Sequence, residues 1–282
     1  MRVDVDGSSY HKLLQFLNEK QLSKSSFYDE YALPKLKEFT PATRDAVVLS
    51  LLRNLQSLER TDAKFVEKLL KHPFLPTGPQ STLCHVENVY VPKPKLRRFL
   101  DEDVMPSPAF TAPDILQILS RIGLKDELDA AAVLISASTI TKKLKGSNMD
   151  ENLLFAAKQR AQALLKYLDE HWDKLKLHHN EGEMAWDEFV EKLKGLCWVP
   201  VAPDAPHPAL VWKWSALKGD DLNKYFATPL TIRQHNAAWM VSATHPTMAI
   251  PLETATFIEA MGWNVPCTAA MVATQVCLLC SF

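Results

Sequence analysis

The chain has 282 residues, 47% of them hydrophobic, which is enough to form the cores of two ordinary domains. Its 32 basic and 33 acidic residues leave a formal net charge of −1, so nucleic acid and anionic membrane surfaces are disfavoured as partners. No apolar run approaches the about 18 residues of a membrane span, no signal pattern is present, and five scattered cysteines do not suggest disulfides. We therefore expect a globular, cytoplasmic protein with reduced thiols.

Amphipathic helices dominate the first part of the chain. Apolar residues spaced i, i+3, i+4 and i+7 predict a helix over Tyr10–Leu17. A stronger helix begins with Thr40 as its cap and Pro41 at its first position, and another starts at Thr61 or Asp62. The last two are predicted to form an antiparallel pair.

A β-hairpin and a second helix pair follow. The segments FLPT and LCHVENVYV, separated by the turn GPQ, predict two short strands. A proline-rich crossing leads to a helix that begins near Pro113 and stops at Gly123, and Asp126 is the predicted cap of its partner helix. Asp150 starts a long helix of roughly 40 Å, and a last helix ends before Gly195.

Most of this pattern returns near the C-terminus. LCWVPVAP corresponds to HPFLPTG when Pro200 is set on Pro76, at an offset of 124. FIEAMGWNVPCTAAMV corresponds to the helix pair when Gly262 is set on Gly123, at an offset of 139. The second copy is therefore predicted to carry an insertion of about fifteen residues near KWSALKGDDLNKYF.

The predicted fold class is a helix-rich α+β protein with duplicated modules, each a small β unit plus amphipathic helix pairs. Residues 1–180 are predicted to form a helical module with a small β-hairpin and a helix pair. Residues 181–282 are predicted to form a tryptophan-rich α+β module with strands at Val211–Trp214 and Trp239–Ala243. From His235 onward the only Asp, Glu, Lys or Arg residues are Glu253 and Glu259. Such a nearly uncharged segment is expected to be buried against other protein, so the module is expected to be incomplete at its C-terminus.

Four segments of the sequence resemble the sacsin family. They are HPFLPTG, VYVPKPKLRRFLDEDVMPSPAF running into PDILQILSRIGLK, LCWVPVAPDAP followed by a tryptophan strand, and AWMVSATHPTM before a helix ending in MGW. Each segment is degenerate alone, but their order and spacing over residues 45–275 make the resemblance fairly specific.

The resemblance implies a place within a very large intracellular chaperone or co-chaperone protein, downstream of an Hsp90-like nucleotide-binding domain. The implied partners are other domains of a larger sacsin-like protein, Hsp70-type chaperones and unfolded client proteins. The implied role is a non-catalytic protein-interaction or scaffold module in protein folding and quality control.

Motifs for catalysis and cofactor binding are absent from the sequence. Its eight glycines are dispersed, and no phosphate-binding loop, D-x-G-x-G turn or H-P-D tripeptide occurs, so neither ATPase activity nor a cofactor is expected. Cys277 and Cys280 could form half of a zinc site or a redox pair, but no second paired cluster is present, and at i, i+3 on a helix they are expected to be core thiols. The alternative is a metal-dependent enzyme with its site at the module interface near the His171–Glu183 loop. Its candidate ligands are His171, His178, His179, Glu181 and Glu183.

Two surface features are candidate protein-interaction sites. Arg97 and Arg98 belong to a basic cluster followed closely by acidic residues, so the cluster is either solvated, self-compensating charge or a docking patch. Trp212 and Trp214 would share one face of a strand. If these two and Trp239 are exposed they could bind client peptides, and otherwise they belong to the core of the second module.

Overall fold

A computed structural model describes residues 23–142, 150–179, 184–202, 225–242 and 244–280. Over these residues the protein has a helix-rich α+β fold with two small antiparallel sheets, which confirms the predicted fold class. The chain divides into two compact units, unit 1 within Met1–Lys93 and Asp101–Asp126, and unit 2 within Pro94–Leu100 and Glu127–Phe282. The predicted domain boundary after residue 180 falls within unit 2. That residues 181–282 fold independently of the preceding residues stays a prediction.

The helices and strands follow one another in this order. The first half contains α1 (Lys24–Ser26), a π-helix (Phe27–Ala32), α2 (Pro41–Thr61), α3 (Phe65–Leu70), β1 (Leu75–Thr77), β2 (Thr82–Cys84), α4 (Pro94–Arg97), α5 (Pro113–Arg121) and α6 (Ala130–Lys142). Short 3₁₀ turns lie at Val86–Asn88, Glu102–Val104, Pro108–Phe110 and His235–Ala237. The second half contains α7 (Glu151–Leu177), α8 (Trp186–Gly195), β3 (Val199–Pro200), β4 (Phe226–Ala227), α9 (Ala238–Val241), α10 (Ala255–Met261) and α11 (Ala269–Cys280).

Unit 1 is built on helix α2. Thr40 caps this helix by accepting a hydrogen bond from the Thr43 backbone at 3.4 Å, and Pro41 occupies its first turn, as predicted. The apolar face of α2 packs into one hydrophobic core together with residues of the β1–β2 hairpin and of α5. The residues that α2 buries there are Val48, Leu51, Leu52, Leu55 and Leu58.

Unit 2 is built on α7, a helix of 27 residues capped by Asp150, which accepts a hydrogen bond from the Asn152 backbone. Helix α7 contacts α6, α10 and β3. Near its C-terminal end the Trp172 ring lies 5.0 Å from Trp186 of α8 and 4.8 Å from Phe257 of α10, measured between ring centroids. Aromatic packing of this kind joins the consecutive helices α7 and α8 to α10, which is distant from them in sequence.

The two hairpins have equivalent pairing and equivalent links to the crossing segment that follows. Pro76 pairs with Leu83, seven positions on, whereas Pro200 pairs with Phe226, 26 positions on, so the second hairpin is 19 residues longer. Three backbone hydrogen bonds recur at matching places. In the first copy they run from Gly78 N to Met105 O (3.0 Å), from Ser107 N to Pro76 O (2.9 Å) and from Tyr90 N to Val104 O (2.9 Å). Their counterparts in the second copy, in the same order, run from Ala202 N to Thr247 O (2.8 Å), from Ala249 N to Pro200 O (3.0 Å) and from Arg233 N to Pro246 O (2.9 Å).

Helices α5 and α10 end in the same way. The Leu124 N–H donates to Leu119 O at 3.0 Å, and the Trp263 N–H donates to Ile258 O at 2.9 Å. These six-to-one hydrogen bonds span Gly123 and Gly262, which have positive φ angles of 120° and 78°. A glycine with positive φ followed by such a bond is the usual stop signal of a helix, and it stands at the predicted offset of 139.

Helices α6 and α11 begin in the same way, also 139 residues apart. Asp129 caps α6 by accepting a hydrogen bond from Ala132 N at 2.8 Å, and Thr268 caps α11 by accepting one from Met271 N at 3.3 Å. The predicted cap of α6, Asp126, is therefore wrong. Asp126 instead accepts a hydrogen bond from Lys93 at 3.1 Å, three residues before the true cap.

Some other local predictions are corrected or lie outside the described residues. The segment Trp239–Ala243 is a predicted strand, but its residues Trp239–Val241 belong to helix α9, because Ala237, Ala238 and Val241 share one buried helical face and Ser242 N donates to Ala238 O at 3.0 Å. The predicted helix at Tyr10–Leu17 and the predicted strand at Val211–Trp214 lie outside the described residues. Within the described ranges, no helix combines the length and apolarity needed to cross a bilayer.

Candidate interaction surface

Helix α11 turns apolar residues towards solvent. Its sequence, AAMVATQVCLLC, has no charged residue. Among its side chains that the structure describes, the only buried one is the polar Gln275, which is 2% exposed, whereas Val276 is 51% exposed. This is the reverse of the usual arrangement, in which an amphipathic helix buries its apolar face and shows its polar one.

Helix α9 extends the same surface. Because Ala238 and Val241 face the interior, the residues between them point outward, and Trp239 and Met240 are 61% and 44% exposed. Helices α9 and α11 are in contact, and the Gln275 side-chain amide donates a hydrogen bond of 3.5 Å to Trp239 O. We call Trp239, Met240 and Val276, with the exposed residues of α11, the α9–α11 surface.

The burial of α11 differs from that of its counterpart α6. Helix α6 lies against both α7 and α8. Its residues Ala130, Ala137 and Thr141 are buried. The residues 139 positions later, Ala269, Val276 and Cys280, are all exposed. Cys277 is exposed as well, so the prediction that this cysteine pair lies in the core is wrong. Two helices with caps at equivalent positions and similar apolar sequences therefore differ in how far other helices cover them.

The other predicted interaction residues are placed as follows. Arg97 and Arg98 are exposed at the end of α4, with Leu96 buried beneath them, so their positions are compatible with either a solvated cluster or a docking patch. Trp212 and Trp214 lie outside the described residues. Met240 and Val276 were missed from the sequence, although the nearly uncharged C-terminal region already indicated that this end needs cover.

The histidines of the alternative metal site have local structural contacts. The His171 ring stacks on Tyr167 with centroids 4.5 Å apart, and its Nδ1 donates to Tyr167 O at 3.1 Å. His179 Nε2 donates to Met184 O at 2.6 Å, while His178 is exposed. In the described parts of the chain no three His, Cys, Asp or Glu side chains are grouped as metal ligands, and Glu181 and Glu183 lie outside them.

An open cleft of about 410 Å³ in unit 2 is bordered by α7, α8 and α10. Acidic and basic side chains both line it, namely Asp173, Asp187, Glu191, Glu259, Lys176 and Lys194. Asp173 already accepts a hydrogen bond of 2.7 Å from the Thr256 hydroxyl. The lining includes no serine, cysteine or histidine.

Fold and surface together define a helix-rich α+β protein in which one apolar helix face is open to solvent. The sequence is similar to Sacsin of Homo sapiens, with 30% identity over 176 residues. The similarity covers 59% of this chain and 4% of Sacsin, so the chain spans only a small part of the relative that it matches. No family model and no solved structure matches the sequence.

Proposed function

We propose that this chain is a segment of a sacsin-like protein and acts as a non-catalytic protein-interaction module in protein folding and quality control. The similarity to Sacsin supports the relationship, and the observation that carries the proposed role is the exposed α9–α11 surface. Exposed apolar surface of this kind typically marks a protein–protein interaction site.

The α9–α11 surface has the physical properties of a weak, reversible binding site. Trp239 is a residue type that often dominates binding energy, because its large ring gains much from burial at little cost in conformational entropy. Covering one large apolar side chain is worth about 1.5–3 kcal/mol, and association itself costs several kcal/mol. A few such side chains therefore favour transient contacts with many apolar segments over tight binding of one ligand.

The partners that we propose follow from the resemblance to sacsin-like proteins. They are unfolded client proteins, Hsp70-type chaperones and other domains of a larger sacsin-like protein, all in the cytoplasm. Arg97 and Arg98 are proposed as a second, polar docking patch for such a neighbouring domain. No nucleotide hydrolysis is proposed for this segment.

The experiment that tests the proposal measures suppression of client aggregation. Purified chain is added to a thermally unfolding enzyme such as citrate synthase, and light scattering is recorded with the wild type and with Trp239→Ser. We expect the wild type to suppress scattering and Trp239→Ser to require about fivefold more protein, the equivalent of about 1 kcal/mol of lost binding energy. Phe155→Ser is the matched control, because Phe155 is a 65% exposed aromatic residue on α7.

Two outcomes would count against the proposal. Equal suppression by wild type and Trp239→Ser would show that the α9–α11 surface does not bind the client protein. A stoichiometric bound zinc ion that is lost, together with an enzymatic activity, on joint mutation of His178 and His179 would instead favour the metal-dependent enzyme.

A further inference from the structure

We propose that the exposed stripe of α11 receives an amphipathic α-helix with the chemistry of α7. The stripe consists of Ala269, Ala273, Val276 and Cys280, which are spaced i, i+4, i+7 and i+11 and so lie on one face of the helix. The proposal rests on the proposed interaction role and adds the chemical class of one partner.

The first step is the equivalence of α11 and α6. Both helices follow a glycine-terminated helix, both begin at the offset of 139, and both carry a side-chain cap one residue before the first turn. The first backbone bonds also match, since Val133 N donates to Asp129 O at 3.0 Å and Val272 N to Thr268 O at 3.1 Å. Because the two helices correspond in position and are similar in sequence, the face of α11 that corresponds to the buried face of α6 is expected to be buried by a similar helix.

The second step is the way α6 is covered. The α6 positions that correspond to the stripe are Ala130, Leu134, Ala137 and Thr141, and none of them is exposed. The helix with which α6 has its most extensive contact is α7. The buried residues of α7 that precede Trp172 are small or leucine side chains, namely Ala157, Ala161, Leu164, Leu165 and Leu168.

The third step concerns what α11 can accept. Its backbone groups are bonded within the helix, so an extended peptide would gain no main-chain hydrogen bonds from it. Ala269 and Ala273 are small enough to let a second helix approach closely, and no charged residue on α11 would have to lose its hydration. Both facts favour a helix with an alanine–leucine face over a polar or an extended partner.

A labelled peptide tests the inference. A fluorescein-labelled peptide of residues 150–178, which is the α7 sequence with its cap, is titrated with the full chain, and binding is followed by fluorescence anisotropy. We expect saturable binding with a gain of helical circular dichroism, and about tenfold or more weaker binding to Val276→Asp, because the carboxylate would be buried on docking. The control peptide carries Leu164→Glu and Leu168→Glu and is expected not to bind.

The outcomes separate this inference from the proposed function. Failure of the peptide to bind, with client suppression intact, overturns the helix partner and leaves the interaction role standing. Binding that Val276→Asp does not change would mean that the peptide replaces the chain's own α7 on α6, which also overturns the inference. A wild-type dimer that Val276→Asp converts to a monomer would identify a second copy as the occupant and overturn it as well. Unchanged circular dichroism of Val276→Asp alone verifies that the variant is folded.

Discussion

Gly262 occupies a backbone conformation that other residues adopt only with strain. Its φ is +78°, and a Cβ added there would meet no atom within 4 Å, so a substitution is penalised by backbone conformation alone. We expect Gly262→Ala to lower the free energy of unfolding by about 1–2 kcal/mol, measured by urea denaturation. The matched control is Gly195→Ala at the end of α8, where space is also open and φ is not positive. Equal effects of the two substitutions would contradict the argument.

Tyr167 links the stability of unit 2 to alkaline pH. Burial raises the pKa of its phenol above the ordinary value, with smaller contributions from the charges of Glu127 and Asp129. An unfolded chain loses this proton near pH 10, whereas the folded chain keeps it, so the stability contributed by the neutral phenol is present below about pH 10 and is lost as pH rises further. Tyr167→Phe keeps the ring packing with Phe99 and is expected to lose less stability between pH 9 and pH 11.

The comparison for Tyr167 is made by chemical denaturation of wild type and Tyr167→Phe across that pH range. Ionisation of the other tyrosines and of the lysines affects both proteins alike, so only the difference between the two curves is informative. Parallel curves would show that the Tyr167 phenol has an ordinary pKa.

At the scale of elements, α10 begins on a carboxylate supplied by another helix. Asp169 of α7 accepts hydrogen bonds from the backbone of Glu253 at 3.0 Å and of Thr254 at 2.9 Å, and the Thr254 hydroxyl donates to Asp169 O. The two N–H groups lie just before α10, and the carboxylate that accepts from them also places negative charge at the helix N-terminus, where the helix dipole favours it.

We expect Asp169→Ala to destabilise unit 2 by about 1–2 kcal/mol, because two backbone donors lose their acceptor. Glu170→Ala, at the neighbouring exposed position of α7, is the control and is expected to change stability by less than about 0.5 kcal/mol. Thermal unfolding of both variants followed by tryptophan fluorescence checks the difference. If Glu170→Ala proves as destabilising, the cap has no special role.

Element boundaries were predicted best where the signal is local. Pro41, Thr40 and Gly123 act through their own backbone or through neighbours within one turn, and they were recognised from the sequence. The helical state of Trp239 was missed, because in a short segment of aromatic and β-branched residues the burial of Ala237, Ala238 and Val241 decides the conformation. Asp126 was predicted as the cap of α6 and Asp129 was missed, because both lie before the same helix and only the start of the helix distinguishes them.

At the scale of the whole molecule, two boundaries make different predictions about folding. The sequence places a domain boundary after residue 180, whereas the contacts place α7 in the same unit as α10. A fragment of residues 181–282 would lack Asp169 and Trp172, which contact the start of α10 and Phe257.

We therefore expect the fragment of residues 181–282 to show no cooperative thermal transition by circular dichroism. A fragment of residues 94–282 keeps α7 and is expected to unfold cooperatively, which makes it the matched comparison. A cooperative transition of the shorter fragment would instead support independent folding of the predicted second domain.

The sequence by itself determined the helix-rich α+β class, the glycine stops and the offset of 139 between two similar helix pairs. These features depend on residue spacing and on backbone conformation, which are properties of neighbouring residues. Only the tertiary structure decided that α6 is covered by other helices while α11 is exposed, and that Trp239 points to solvent. Burial depends on which distant segments come to lie against a helix, because the hydrophobic effect acts on any apolar surface removed from water, whatever its position in the chain.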